Sequence, residues 1–563
     1  MLCLVDGVGN FACLALFAVL GVLLLVVWRA KRGAQAPPSL LRDPRWLALL
    51  GVFLLLALTL PEAMPVHDHN SYVKRTDCAV SPYCEESAPW GHSTLTAYEL
   101  VFSVVPYRVG NLGYVSLAFS LLSLVLMGGF LRRLFREFER EEEGRWVAWL
   151  AAAVCILQPG FLRLSVAATF YPYTMCALWG AAWMALDALR RPRFSTACAS
   201  MLLLALAAMG VWVQLVWLPL AAIAPLCWRK APLKLPSRKG GAIYLGTGLL
   251  LLAIVAPHMW GVLQAMGEPG GMDSATWSEH PPLFAETLVT SAPFVLLFWF
   301  GAGATLFRIA RGQVFLLPLV YAFVATEPFL AAIVDLVTGY PTRFIHGFIS
   351  IYFSAIWVAI AMTTVLLRLP ARWRATVTGG VLIAGVVLTP LAETGVDFLF
   401  EGRMLNRELT AFSTLIEELP EHDYLVIPPT LESQEACERA WHDPPEVHLP
   451  LEEYRQRTEA RFGKPVQIVR LEDFLHRRDD LDPERGLVYV GSILKSFVPC
   501  EDQFGLVPDN LERPFLTALR ESYLLTPARI LDISTADNAE VACRLTAGRH
   551  NTAELGFYRL TPR

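Results

Sequence analysis

Charge is what this sequence has least of: Asp, Glu, Lys and Arg make up only 17% of its 563 residues, against 55% hydrophobic. A water-soluble chain of this length needs far more charged surface, so the bilayer is the solvent the composition points to. A net charge of -4 and basic residues that form only short clusters exclude a nucleic-acid partner. The opening MLCLVDG has no basic n-region and contains Asp6, which argues against a cleaved signal peptide and for a retained first span. No CxxC or HxxxH spacing is present, which disfavours a structural zinc site.

The apolar residues are gathered into stretches long enough for a helix to cross about 30 Å of hydrocarbon. Spans are expected near 8–28, 46–62, 108–131, 146–166, 168–189, 195–209, 211–227, 241–262, 287–305, 314–338, 346–367 and 376–392. The sixth and seventh are short enough to form one kinked helix instead. Basic clusters fall in alternate loops: Arg29 to Arg32, Arg132 to Arg140, Arg190 to Arg193, Arg229 to Lys239, Arg308 with Arg311, and Arg368 to Arg374. Lys and Arg collect on the cytoplasmic side, so this alternation puts both termini outside.

The expected fold is therefore an all-α polytopic membrane domain of about 12 transmembrane helices followed by a small α/β extracytoplasmic domain. Residues 1–45 hold an extra N-terminal span and a basic cytoplasmic loop, and 46–392 hold the main membrane domain with external loops 63–107 and 263–286. Residues 393–563 form the soluble domain. That domain opens on an amphipathic helix, with Met404, Leu405, Leu409, Phe412, Leu415, Ile416 and Leu419 at helical spacing. Strands are expected at Tyr424–Ile427, Val466–Arg470, Leu487–Ile493, Ala528–Ile533, Val541–Leu545 and Glu554–Leu560, with a helix near 512–525. Cys78 and Cys84 in the first external loop are candidates for a disulfide in an oxidising compartment. Cys437, Cys500 and Cys543 in the tail leave at least one thiol over.

Three segments carry candidate chemistry. After the second span, MPVHDHNSYVKRTD places Asp68 between His67 and His69. A carboxylate there suits a general base on an acceptor or a ligand for a divalent cation, with the imidazoles tuning or sharing either role; a plain solvated loop is the competing reading. In GYPTRFIHGF, at the mouth of the tenth and eleventh spans, Tyr340, Arg343 and His346 suit the phosphate of a lipid donor, because a guanidinium grips phosphate through its planar fork. The competing reading is an Arg snorkelling to the interface. The segment LQPGFLRLSVAATFYPY adds Arg163, Tyr171 and Tyr173.

Together these segments resemble the GT-C membrane glycosyltransferases, in particular the protein-mannosyltransferase and aminoarabinose-transferase type (family 39-like). The resemblance covers about residues 46–392 and is carried by Asp68 in HDHNSY, by PGFLRLSVAATFYPYTMCALWG and by Arg343–Phe344. It implies transfer of a sugar from a polyprenyl-phosphate donor to an envelope acceptor (lipid, glycan or protein) on the outer face of a bacterial inner (plasma) membrane. Asp68 would be the catalytic residue, supported by His67, His69 and Glu99. Arg343, His346, Arg163 and Tyr340 would bind the donor phosphate, and Asp68 would hold any divalent cation. The family's second external carboxylate has no counterpart in 157–169, which contains no acid; Asp77, Glu85, Glu86 and Glu99 are the candidates to replace it. Two other classes compete. A transporter or flippase of envelope precursors needs ionisable groups within its spans, and only Glu327 and Asp335 qualify clearly. A non-catalytic scaffold would bring no acid and base together.

Overall fold

The computed structural model describes residues 9–31, 43–59, 92–105, 109–166, 170–190, 193–210, 295–313 and 347–370 of the helical part, with short pieces within 242–256, 316–320 and 372–383. In the C-terminal part it describes 424–427, 468–470, 486–491, 519–532 and 554–563, with a few single residues besides.

Ten helices are used below: α1 (Gly9–Lys31), α2 (Pro44–Thr59), α3 (His92–Phe102), α4 (Val109–Glu137), α5 (Glu141–Ile156), α6 (Pro159–Val166), α7 (Phe170–Arg190), α8 (Phe194–Gly210), α9 (Val295–Ala310) and α10 (Gly347–Leu366). Among the described residues, Gly113–Glu137 of α4 is long and apolar enough to cross a membrane. Shorter apolar helices include Ala15–Val27, Pro44–Ala57, Phe194–Gly210, Phe300–Ala310 and Ile351–Leu366. The expected spans at 8–28, 46–62, 108–131, 168–189, 195–209 and 346–367 thus correspond to α1, α2, α4, α7, α8 and α10. The span expected at 287–305 begins later, at Val295, and runs on to Ala310. That at 211–227 lies outside the described residues, as do most of 241–262, 314–338 and 376–392.

The span expected at 146–166 is two helices. Helix α5 stops at Leu157, where the next helix opens with Pro159. Proline has no N–H to give an upstream carbonyl but suits the first turn of a new helix, so the chain breaks and restarts there. Helix α5 is buried almost all round, as its run of small residues Ala151–Ala152–Ala153 permits. It packs between α4 and α10, while α7 packs against α4 and α8, and α9 against α10. An aromatic chain runs through this core: Phe53 tilts on Phe161, Phe161 meets Tyr352 edge-on at 5.4 Å, and Tyr352 leans on Trp179. Ser123 and Tyr352 share a short buried hydrogen bond between α4 and α10.

Gly301 lets α9 and α10 touch backbone to backbone, because a Cβ there would collide with the Trp357 carbonyl. Both helices end on the same side of the bundle. Arg308 near the end of α9 pairs with Glu143, and Arg374 after α10 pairs with Glu142 at 2.6 Å. These two neighbours therefore run in the same direction.

The C-terminal strands are β1 (Tyr424–Ile427), β2 (Ile468–Arg470), β3 (Leu487–Gly491), β4 (Tyr523–Asp532) and β5 (Glu554–Pro562). They form one mixed sheet in the order β2-β1-β3-β5-β4. The β1–β2 and β1–β3 pairs are parallel, while β5 pairs antiparallel with β3 and β4. Val426, Phe474, Leu519, Tyr523, Tyr558 and Leu560 make its core. The expected helix at 512–525 gives way to β4 at Tyr523, so that strand starts five residues before the expected Ala528 and passes through Pro527. The proline is tolerated because β4 is an edge strand of the described sheet and its register shifts between Pro527 and Arg529. The strand expected at Val541–Leu545 lies outside the described residues.

Candidate functional site

The two ends of the bundle are chemically unlike. At one end, arginines from loops far apart in sequence meet a run of three glutamates in the first turn of α5. Glu141 takes Arg145 at 2.6 Å and Arg132 at 3.8 Å, Glu142 takes Arg374, and Glu143 takes both Arg308 and Arg140. Carboxylates also suit the positive end of a helix dipole. Arg133 of α4 pairs with the buried Asp187 of α7 at the same end. Asp43, bonded by Arg45 side chain and backbone, has its carboxyl held below the ordinary range chiefly by that hydrogen bond.

The opposite end is lined by hydroxyls and aromatic rings. Here α3 is wedged against α1, α4, α7 and α8. Ser93 Oγ donates to the Leu206 carbonyl at 2.6 Å, and Tyr98 and Ser116 share a 2.5 Å hydrogen bond. Gly210 makes room for this seat, since a Cβ would run into Thr174, Ser93 and Thr94. Tyr98 stacks on Phe102 and meets Phe119 edge-on; Phe119 in turn meets Tyr173 edge-on at 5.4 Å. Tyr171 and Tyr173 are both buried in this packing. The hydroxyls of Thr94 on α3 and Ser165 on α6 are buried without a hydrogen-bond partner among the described residues.

Besides Tyr171 and Tyr173, the sequence-predicted Glu99 and Arg163 sit on elements that converge here. Glu99 follows Tyr98 on α3, and Tyr98 is bonded to Ser116 of α4. Arg163 lies on α6, whose last residue, Val166, puts its carbonyl against Gly113 of α4. Positions 113 and 116 are one helical turn apart on the same face, so α3 and α6 both pack on that turn. Glu99 is half-buried, has no ion-pair partner among the described residues, and is pushed up to about 7 by burial. A carboxyl at that value exchanges a proton at neutral pH, as an acid–base group must. The other candidates, Asp68, His67, His69, Tyr340, Arg343, His346, Cys78 and Cys84, lie outside the described residues, as do Asp77, Glu85 and Glu86. No group of three His, Cys, Asp or Glu side chains suited to a metal ion occurs among the described residues. Sequence reasoning missed the glutamate hub, although EEE at the start of a span was its visible signal.

The chain's fold is similar to that of a solved structure. The likeness is seen against ArnT from Cupriavidus metallidurans in the apo state, with a TM-score of 0.51 and 10% identity, covering 91% of this chain and 97% of that one. The same protein bound to undecaprenyl phosphate gives 0.49 at 11% identity over 91% and 97% of the two chains. The archaeal oligosaccharyltransferase AglB from Archaeoglobus fulgidus, in complex with an inhibitory peptide and a dolichol-phosphate, gives 0.41 at 12% identity over 76% and 65%. Only the first value rises above one half, and at such identity it establishes the fold and no more. No family profile matches the sequence, and neither does any curated protein.

Proposed function

We propose that the protein is a membrane glycosyltransferase that moves a sugar from a polyprenyl-phosphate donor to an envelope acceptor, a lipid, glycan or protein, on the outer face of an inner (plasma) membrane. The observation that carries this reading is the fold likeness to ArnT across nearly the whole of both chains. In the proposed reaction an acceptor hydroxyl or amine gives its proton to Asp68 as its heteroatom attacks the anomeric carbon. The bond from that carbon to the phosphate oxygen breaks, and the polyprenyl phosphate leaves with the electron pair. Arg343, with His346, Arg163 and Tyr340, balances the negative charge that builds on the departing phosphate. His67 and His69 orient or share the base. Glu99, poised near neutrality on α3, is the second carboxyl and passes the proton outward. Asp68 is also the residue that would hold a divalent cation there, a point tested by activity in EDTA.

The decisive comparison is wild type against Asp68→Asn in membranes supplied with radiolabelled polyprenyl-phosphate sugars, following loss of label from the carrier. Wild type should discharge one donor, and the folded variant should do so at least a hundredfold more slowly. If neither discharges any donor, the transporter or scaffold reading takes its place.

A further inference from the structure

Most arginines at the glutamate end have an acidic partner, Arg133 in Asp187 and five others in the glutamates of α5. Arg132, Arg140, Arg145, Arg308 and Arg374 are each matched to one of the three glutamates of α5. Arg311, Arg368 and Arg372 are exposed and form no ion pair among the described residues. All three follow the C-terminal ends of α9 and α10, which pack side by side and finish together. Arg136 of α4 and Arg193, just before α8, also form no ion pair among the described residues but lie on other elements.

The uncompensated charge at the ends of α9 and α10 is bordered by apolar side chains that no part of the described protein covers. Leu306 is 53% exposed, Phe307 57%, Val365 50% and Trp373 52%. Arg311 lies over the Phe307 ring, 4.3 Å from its centroid, so its cation and an exposed aromatic form one surface. On both helices the exposed apolar side chains precede the cations by about one turn, Phe307 before Arg311 and Val365 before Arg368, and this order matches a phospholipid: acyl chains against Phe307 and Val365, phosphate among the guanidinium groups. A free phosphate ion would leave the apolar border bare.

We infer that the paired C-terminal ends of α9 and α10 form a binding site for an anionic phospholipid headgroup, built from Arg311, Arg368 and Arg372 with Phe307 and Trp373. The inference rests on the bundle being embedded in a membrane and is independent of the transfer reaction. The site is at the opposite end of the bundle from α3 and Glu99, so it is not the donor site.

The test compares the full-length protein with an Arg311→Gln/Arg368→Gln/Arg372→Gln variant, purified in detergent and titrated with phosphatidylglycerol or phosphatidylcholine, with bound lipid read by native mass spectrometry. Wild type should retain phosphatidylglycerol over phosphatidylcholine by about tenfold, inorganic phosphate should not displace it, and the triple variant should lose the preference. Arg136→Gln/Arg193→Gln, which leaves the proposed site intact, should keep it. Equal retention of both lipids by wild type, or an unchanged preference in a triple variant that melts at the wild-type temperature, overturns the site. Displacement by inorganic phosphate overturns it in favour of a simple anion site. Should the triple variant fail to fold, Phe307→Ala/Trp373→Ala must weaken retention of phosphatidylglycerol, and full retention overturns the proposal. Release of the protein from membranes by alkaline carbonate would instead refute the embedding itself, so the two failures are distinguishable.

Discussion

Glu99 shows how a single side chain can be named from sequence while its character stays hidden. Its place between the second and third expected spans was legible; its half-burial beside Tyr98 was not, because that depends on Ser116 and Phe119 of α4 and Tyr173 of α7 coming to meet α3. Burial raises its carboxyl from the ordinary 4.5 to about 7, so the folded protein holds a proton that the unfolded chain has released between those values. Stability should therefore fall as pH rises through that window and level off above it, by at most about 3 kcal/mol. Glu99→Gln carries no such proton. Melting the detergent-solubilised protein from pH 5 to pH 8 should show a decline in wild type that the variant lacks, and parallel profiles would rule out the raised value. Asp68 and Arg343, by contrast, rest on the sequence alone and lie outside the described residues.

Among the elements, the sharpest departures from sequence expectation have local causes. Hydropathy alone cannot divide 146–166, because Gln158 interrupts the apolar run too briefly, yet Pro159 forces a new helix. The strand expected from Ala528 starts at Tyr523 and runs through Pro527, which an edge strand with a register shift accommodates. The glutamate hub was missed for a different reason: EEE is visible in the sequence, but its partners are not. Only packing shows that Glu143 and Arg308, 165 positions on, share a site in which each is 11% exposed. Removing one member leaves a charge without its partner in a poorly solvated place, so Glu143→Ala should cost about 3 kcal/mol. The double variant Glu143→Ala/Arg308→Ala should lose distinctly less than the sum of the two single changes. A thermal double-mutant cycle reads this directly, and strict additivity would mean that the pair does not hold α5 to α9.

For the molecule as a whole, the alternation of basic loops was the most informative pattern in the sequence, and the structure gathers Arg132, Arg133, Arg308 and Arg374 at one end as that pattern requires. If this end faces the cytoplasm, a reporter active only outside it should work when fused after Arg563 and stay silent when fused after Lys239; the reverse result would invert the topology. The small domain was less legible, since five short strands of mixed direction leave only weak periodicity and their order follows from pairing across the fold. The same-direction packing of α9 and α10 bears on how the protein is made. A helical hairpin can close as soon as its second arm leaves the ribosome, but α9 cannot find α10 in that way, because consecutive arms of a hairpin are antiparallel. During synthesis the notch at Gly301 must wait, open to lipid, until residue 357 has emerged. A nascent chain halted between these points would present an unfilled groove, the kind of surface that membrane chaperones hold and quality-control proteases cut.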